Sequence, residues 1–262
     1  MTDVRELFDN PEELEALRAV CEAEPPAEHV VHLPETKSFS VPKGYDYRLN
    51  APVQTFFHRL LWNIVVLLLV IIDTVFLGLR IEGRENLRPL KRRGFVSVSN
   101  HVHMMDCTAV ALALSHKRLY TATLESNFRI PGIRHLVRAL GGVPLPRSPV
   151  CMAEFIASMR SAIAEGCAVQ IYPEGVLLPY ADTLRPFHKG AFTLAASIGA
   201  PVLPIAVKFR KPRGLFALYK RKPCMTLMIL PPVWPDASLS GTAAARDLRL
   251  RVFCEMFCAL SD

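Results

Sequence analysis

A chain of 262 residues has room for one well-cored catalytic domain and an appendage, and too little for two ordinary domains. Hydrophobic residues make up 51% of it and the mean hydropathy is +0.24, so part of the apolar surface is expected to meet lipid. The net charge of +7 is divided unevenly: residues 1–36 carry ten Asp/Glu against two Lys/Arg, which leaves a balance of +15 on the remainder. Trp62 and Trp234 are the only tryptophans and no interleaved Arg/aromatic platform occurs, which argues against nucleic acid and for an anionic lipid or substrate as the partner of the basic part.

In chain order, Asn10-Pro11-Glu12-Glu13 is a helix start, with Asn10 as N-cap, Pro11 at the first position and Glu13 placed for a capping box. Leu14, Leu17, Val20 and Cys21 form one narrow apolar stripe before Pro25-Pro26. The stripe predicts a short acidic helix that either docks on the basic part or stays solvated. Residues 25–55, with Pro26, Pro34, Pro42 and Pro52, read as an irregular linker, so residues 1–55 form an N-terminal appendage.

Residues 56–80 hold the apolar run Leu60 to Leu79, in which only Asn63, Asp73 and Thr74 are clearly polar. Twenty helical residues rise about 30 Å, enough to cross a hydrocarbon core. Asp73 at such a depth would cost roughly 3 kcal/mol or more. A membrane-associated helix with Asp73 turned toward the protein avoids that cost, and a buried core helix is the alternative. Basic residues follow it (Arg80, Arg84, Arg88, Lys91, Arg92, Arg93), which predicts a cell-membrane protein whose catalytic part faces the cytoplasm. Seven cysteines without a C-x-x-C pair read as free thiols in a reducing compartment, in agreement with that side.

Residues 81–262 alternate candidate strands at 94–99, 119–124, 167–172, 202–207 and 224–230 with candidate helices at 107–115, 132–140, 150–165, 190–198 and 242–260. Such alternation predicts a single α/β domain with a largely parallel sheet flanked by helices, and ligands in such sheets lie at the carboxyl ends of the strands. The last helix carries Val252, Phe253, Met256, Phe257 and Leu260 along one side, for the core or for a second contact with the bilayer.

The stretch Phe95 to Thr108, FVSVSNHVHMMDCT, is a strand that delivers His101 to a strand-helix junction with Asp106 just before a helical run. A histidine there can serve as general base, with the carboxylate fixing its tautomer; equally, it can cap a helix. The block His101 to Asp106 resembles the His-x4-Asp motif of the glycerolipid acyltransferases, the family that includes bacterial 1-acylglycerol-3-phosphate acyltransferase. Gly141-Gly142-Val143-Pro144-Leu145-Pro146-Arg147, Tyr172-Pro173-Glu174-Gly175 and Ala200-Pro201-Val202-Leu203-Pro204-Ile205-Ala206 are similar to its second, third and fourth blocks. Ile81 to Leu87 looks like its lead-in, so the resemblance covers residues 81 to 210.

That resemblance implies an acyltransferase that moves a fatty acyl group from acyl-CoA or acyl-carrier protein to a lysophosphatidate-like acceptor, with no metal and no tightly bound cofactor. His101 is then the base and Asp106 its partner, while Arg147, Glu174 and Gly175 bind the acceptor. Arg147 follows a Gly-Gly turn and two prolines, which suits bidentate capture of phosphate. Glu174 is expected to project from a fixed turn, with Gly175 allowing close backbone approach. A thioester is already activated, so neither Ser99 nor Cys107 is needed as a nucleophile. His103 reads as a loop residue near the site; with His101 and Cys107 it has ligand types for zinc, but too few of them.

Two departures concern the acceptor. Val176-Leu177-Leu178 stands where Thr-Arg commonly follows the glycine, and Glu125-Ser126-Asn127 stands where a lysine usually precedes the second block. Arg129, Arg185 and Lys189 are nearby in sequence and could supply the charge. Glycerol 3-phosphate or a non-phosphorylated lipid is therefore an alternative acceptor, and a catalytically silent lipid-binding protein is the alternative from another class.

Overall fold

The computed structural model describes residues 10–24, 39–48, 64, 66–128, 137–138 and 141–261. Seven strands form one sheet: β1 (Arg80–Glu82), β2 (Phe95–Ser99), β3 (Leu119–Leu124), β4 (Gly142–Leu145), β5 (Ala168–Ile171), β6 (Val202–Arg210) and β7 (Cys224–Ile229). Their order is β1-β7-β6-β2-β5-β3-β4, and all neighbours are parallel except β6 and β7. The predicted largely parallel sheet is therefore present. β1 and β4 were not expected from the sequence, being three and four residues long, too short to show a period.

β2 lies at the centre, with Val96 opposite Val169 on one side and Val202 on the other. Both faces of the sheet are covered, so all five of its residues are buried, Ser97 and Ser99 included. The two serines are satisfied by one side chain. Ser97 Oγ lies 2.6 Å from Gln170 Oε1, and Gln170 Nε2 donates to Ser99 Oγ at 3.2 Å. Such a polar rung is tolerable in a core only when its members are paired.

On one face pack α1 (Pro11–Glu22), α4 (Pro149–Ala164), α5 (Gly190–Ser197) and α7 (Gly241–Ser261). On the other, α3 (Asp106–Ala113) packs with Leu87 and Leu90. Of the predicted helices, 132–140 falls almost wholly outside the described residues. The last helix is a core helix, with Leu248, Val252, Phe253, Cys254 and Met256 buried.

The acidic N-terminal helix is docked rather than solvated. Leu17 and Cys21 are buried, Glu22 pairs with Arg246 at 2.5 Å, and the Cys21 carbonyl accepts from the Phe187 amide at 3.2 Å. The Asn10 cap is present, accepting from the Glu13 amide at 3.4 Å. The part of the linker at 39–48 is irregular, as read, yet tied down. Val41 donates to Glu125 at 3.0 Å, Gly44 to Glu154 at 2.9 Å and Tyr47 Oη to the Cys151 carbonyl at 3.1 Å. All seven cysteines are free thiols, and all but Cys107 are buried.

The apolar run begins outside the described residues, which take it up at 64 and 66–79. From 66 to 72 it is a helix, here α2, which ends in a π-helical turn at Asp73–Leu77. Among the described residues no helix is long and apolar enough to cross a membrane. Asp73 does turn toward the protein: it is fully buried, with Thr108 Oγ1 3.1 Å from its Oδ1. Burial raises its carboxyl to about 6, against the hydrogen bond from Thr108. Leu69 shares the inner face, while Leu67, Leu68, Val70, Ile71, Ile72, Val75 and Phe76 are exposed.

Candidate active site

The four parallel strands β2, β5, β3 and β4 end at one edge of the sheet, and every residue expected in the site follows one of those ends. β2 is extended past its last rung by a side chain. Asn100 is buried, donates to the Val207 carbonyl and accepts from the Val207 amide, each at 2.8 Å, as a further peptide group would. Sequence reasoning missed this role, which fixes where His101 leaves the sheet.

His101 and Asp106 meet as expected. The ring Nδ1 lies 3.0 Å from Asp106 Oδ2, and the same oxygen accepts from the Val102 and His103 amides at 2.7 and 2.8 Å. Asp106 is fully buried at the start of α3. The carboxylate thus folds the five-residue loop around itself and requires a proton on Nδ1, which leaves the Nε2 lone pair as the free face of the ring. Tyr172 stacks on that ring, centroids 4.2 Å apart at 25°. Burial holds the Tyr172 phenol well above its usual range, so it stays neutral against the imidazole.

Glu174 differs from expectation. It does not project toward a ligand: it is fully buried, its Oε2 accepting from the His101 amide at 3.0 Å and from Arg185 at 2.7 Å, its Oε1 from the Arg185 amide at 3.2 Å. The buried carboxylate needs those donors, and they occupy it. Arg185, whose guanidinium also reaches the Val176 carbonyl, is the cation found beside His101 where a Thr-Arg pair was missing. Leu178 and Tyr180 donate to the His101 and Val102 carbonyls at 3.0 and 2.8 Å, so the loop after β5 clasps the His101 loop from both sides. Gly175 has φ +74°, and a Cβ there would come within 2.8 Å of His188 Nε2; no other residue fits without strain.

Arg147 stands at the far end of this edge, three strand spacings or about 14 Å from the β2 end. Its side chain is 85% exposed and comes no nearer than 4.0 Å to Glu125. Glu125, in the place of the missing lysine, is buried and holds the Val41 amide. Arg129 lies outside the described residues. Cys107 is an exposed residue, and desolvation around its sulfur and then Asp106 raise its thiol; even an unshifted thiol, with a pKa of about 8.5, is mostly protonated at neutral pH. His103 accepts from the Met105 amide at 3.1 Å and packs against Tyr180 and Phe209, and desolvation lowers its pKa.

A buried acid holding a histidine with one open nitrogen, at the carboxyl edge of a parallel sheet, is the arrangement of a general base. The model of the Acyltransferase family matches residues 78–208, half of the chain, and contains this whole loop. The chain belongs to the acyltransferase family. Within that family it is 36% identical over 129 residues to a chloroplastic 1-acyl-sn-glycerol-3-phosphate acyltransferase of Brassica napus, a match that covers 48% of this chain and 36% of that one. It is 35% identical over 133 residues to the human 1-acyl-sn-glycerol-3-phosphate acyltransferase beta, covering 50% and 47%. The matched stretch thus spans less than half the length of either relative. The crystal structure of the 1-acyl-sn-glycerophosphate acyltransferase PlsC from Thermotoga maritima superposes with a TM-score of 0.58 at 22% identity, covering 81% of this chain and 83% of that one, which establishes a shared acyltransferase fold.

Proposed function

We propose that this acyltransferase esterifies the free hydroxyl of a lysophosphatidate-like acceptor with a fatty acyl group from acyl-CoA or acyl-carrier protein, as a step of phospholipid synthesis. The observation that carries the reading is the His101–Asp106 pair, with Nδ1 held at 3.0 Å and Nε2 left open. His101 Nε2 takes the acceptor proton as the hydroxyl oxygen attacks the thioester carbonyl. The C–O bond forms, the tetrahedral adduct expels the thiolate as the C–S bond breaks, and the proton on His101 passes to the sulfur. Asp106 stabilises the imidazolium in between. Arg147, 85% exposed and only loosely paired with Glu125 at 4.0 Å, is the residue available for the acceptor phosphate. The names of the relatives support that acceptor.

We further infer that the exposed apolar face of α2 embeds in one leaflet of the cell membrane without crossing it, on the cytoplasmic side. The free thiols and the basic residues after the helix support that side.

A non-phosphorylated lipid is the second reading of the acceptor, favoured by Glu174 being closed off and by partly exposed Leu177 and Leu178 following Gly175. The deciding experiment incubates the purified protein with labelled acyl-CoA or acyl-carrier protein and, in turn, lysophosphatidate, glycerol 3-phosphate and monoacylglycerol. Labelled phosphatidate, absent with His101→Ala, supports the first reading. A folded protein that acylates none of them is a silent lipid-binding member of the fold.

A further inference from the structure

Between β6 and β7 the chain leaves the sheet at the catalytic edge and makes an excursion over residues 211–223, with one short helix, α6 (Leu215–Tyr219), in which no residue is buried. Leu215 is 79% and Leu218 82% exposed, the two most exposed large apolar side chains among the described residues. Two leucines in solution on a five-residue helix have no packing reason to be there.

The excursion is nonetheless held in one place. Tyr219 Oη donates to the Val75 carbonyl at 2.7 Å, Lys220 Nζ to the Phe76 carbonyl, and Arg210 to the Gly78 carbonyl at 2.7 Å. Phe216 lies over Gly78, close enough that a Cβ there would meet its ring at 3.4 Å. Those carbonyls end the apolar α2 segment, where the helix dipole favours cations. The excursion that carries Leu215 and Leu218 is thereby tied to the segment that carries Val75 and Phe76, themselves 43% and 67% exposed, so both tied elements present apolar side chains to solvent.

Charge flanks those leucines along the chain. From Lys208 to Lys222 there are seven Lys/Arg and no Asp/Glu, and Lys211, Arg213, Arg221 and Lys222 pair with no carboxylate among the described residues. An apolar tip flanked on both sides in sequence by unpaired cations is complementary to a bilayer that carries anionic headgroups. A neutral protein groove would satisfy the leucines and leave the cations with nothing.

We propose that the β6–β7 excursion is a second membrane-seating element, in which Leu215 and Leu218 enter the acyl region while Lys211, Arg213, Arg221 and Lys222 hold anionic headgroups. The inference rests on the membrane reading of α2 above and adds a lipid preference to it. Because β6 ends at the edge that carries His101, and Phe209 on it packs against Tyr180 and His103, seating this element turns the mouth of the site toward the bilayer.

The test uses the full-length protein with flotation on vesicles of phosphatidylcholine alone or of phosphatidylcholine and phosphatidylglycerol at two to one. The variants are Leu215→Ser with Leu218→Ser, and Lys211, Arg213, Arg221 and Lys222 all replaced by Gln; circular dichroism checks their fold. The wild type is expected to bind anionic vesicles roughly tenfold or more tightly than neutral ones. The four-Gln variant should lose that preference, and the two-Ser variant should bind both vesicles more weakly, while acylation of a short-chain acceptor in detergent is unchanged. If the wild type floats but both variants float equally well, this inference fails and the α2 reading stands. If the wild type floats with neither vesicle, both fail. A wild-type dimer that the two-Ser variant converts to monomer with no change in flotation overturns the proposal in favour of self-association.

Discussion

Arg185 closes a buried ion pair on Glu174, its guanidinium 2.7 Å from the carboxylate oxygen that also accepts the His101 amide. Glu174 is therefore placed to position the loop that carries the base. Removing one member of such a pair leaves a buried charge without its partner, at a cost of about 3 kcal/mol or more. Glu174→Ala is expected to lower the melting temperature and kcat together. A variant that melts like the wild type and shows only a higher acceptor KM would return Glu174 to the acceptor.

The two oxygens of Asp106 divide unequally, since Oδ2 alone serves the ring and both amides. Asp106→Asn can keep the loop folded but cannot stabilise a positive ring, so kcat should fall by roughly two to four powers of ten with little change in melting. Cys107→Ala should keep nearly full activity, because its thiol, raised by desolvation and by Asp106, is mostly protonated during turnover. A dead but folded Cys107→Ala would demand a covalent acyl-enzyme instead.

Arg147 contributes little to the fold, with its side chain 85% exposed, so its replacement reads binding cleanly. Arg147→Lys keeps the charge and loses the planar fork, and the acceptor KM should rise several-fold for a phosphate-bearing acceptor and not for a neutral one. Hydrolysis of the acyl donor without acceptor should stay the same. An acceptor KM that the substitution changes for neither acceptor would move phosphate recognition to another cation, Lys189 being one not already closed on Glu174, or mean that the acceptor carries no phosphate.

Asp73 makes stability depend on pH in an unusual direction. Its folded value of about 6 exceeds the ordinary 3.8, so the folded state holds the proton more tightly than the unfolded chain does. The associated stability is complete below about 3.8, declines as pH rises, and is gone above about 6. Asp73→Asn carries no charge to bury and should melt higher than the wild type at pH ~8, with the gap closing toward pH ~4. Thermal unfolding across that range checks it. A gap that is constant with pH would mean that the carboxyl does not titrate in the fold.

The elements that could be read in advance are those whose cause is local. β2, the long helices and the His101–Asp106 loop each depend on residues within a few positions of one another. Glu174 could not be read the same way, because its burial depends on Arg185, eleven residues along a loop with no period. Asn100 imitates a peptide group for a strand 107 residues away, and nothing near it in the chain announces that. The acidic helix showed its stripe but not its partner, since Leu17 and Cys21 are as compatible with a free helix as with α7 beneath them. α6 escaped notice for a related reason: five residues that bury nothing leave no pattern.

Glu125 joins two parts of the molecule that a worker trimming the N-terminus would regard as separate. One oxygen holds the Val41 amide and the other faces Arg147 at 4.0 Å. A version cut back to the sheet would strip that carboxylate of a donor and leave it beside the guanidinium proposed to hold the acceptor phosphate. The shortened protein would then compete with its own substrate, and its poor affinity would be an artefact of where it was cut.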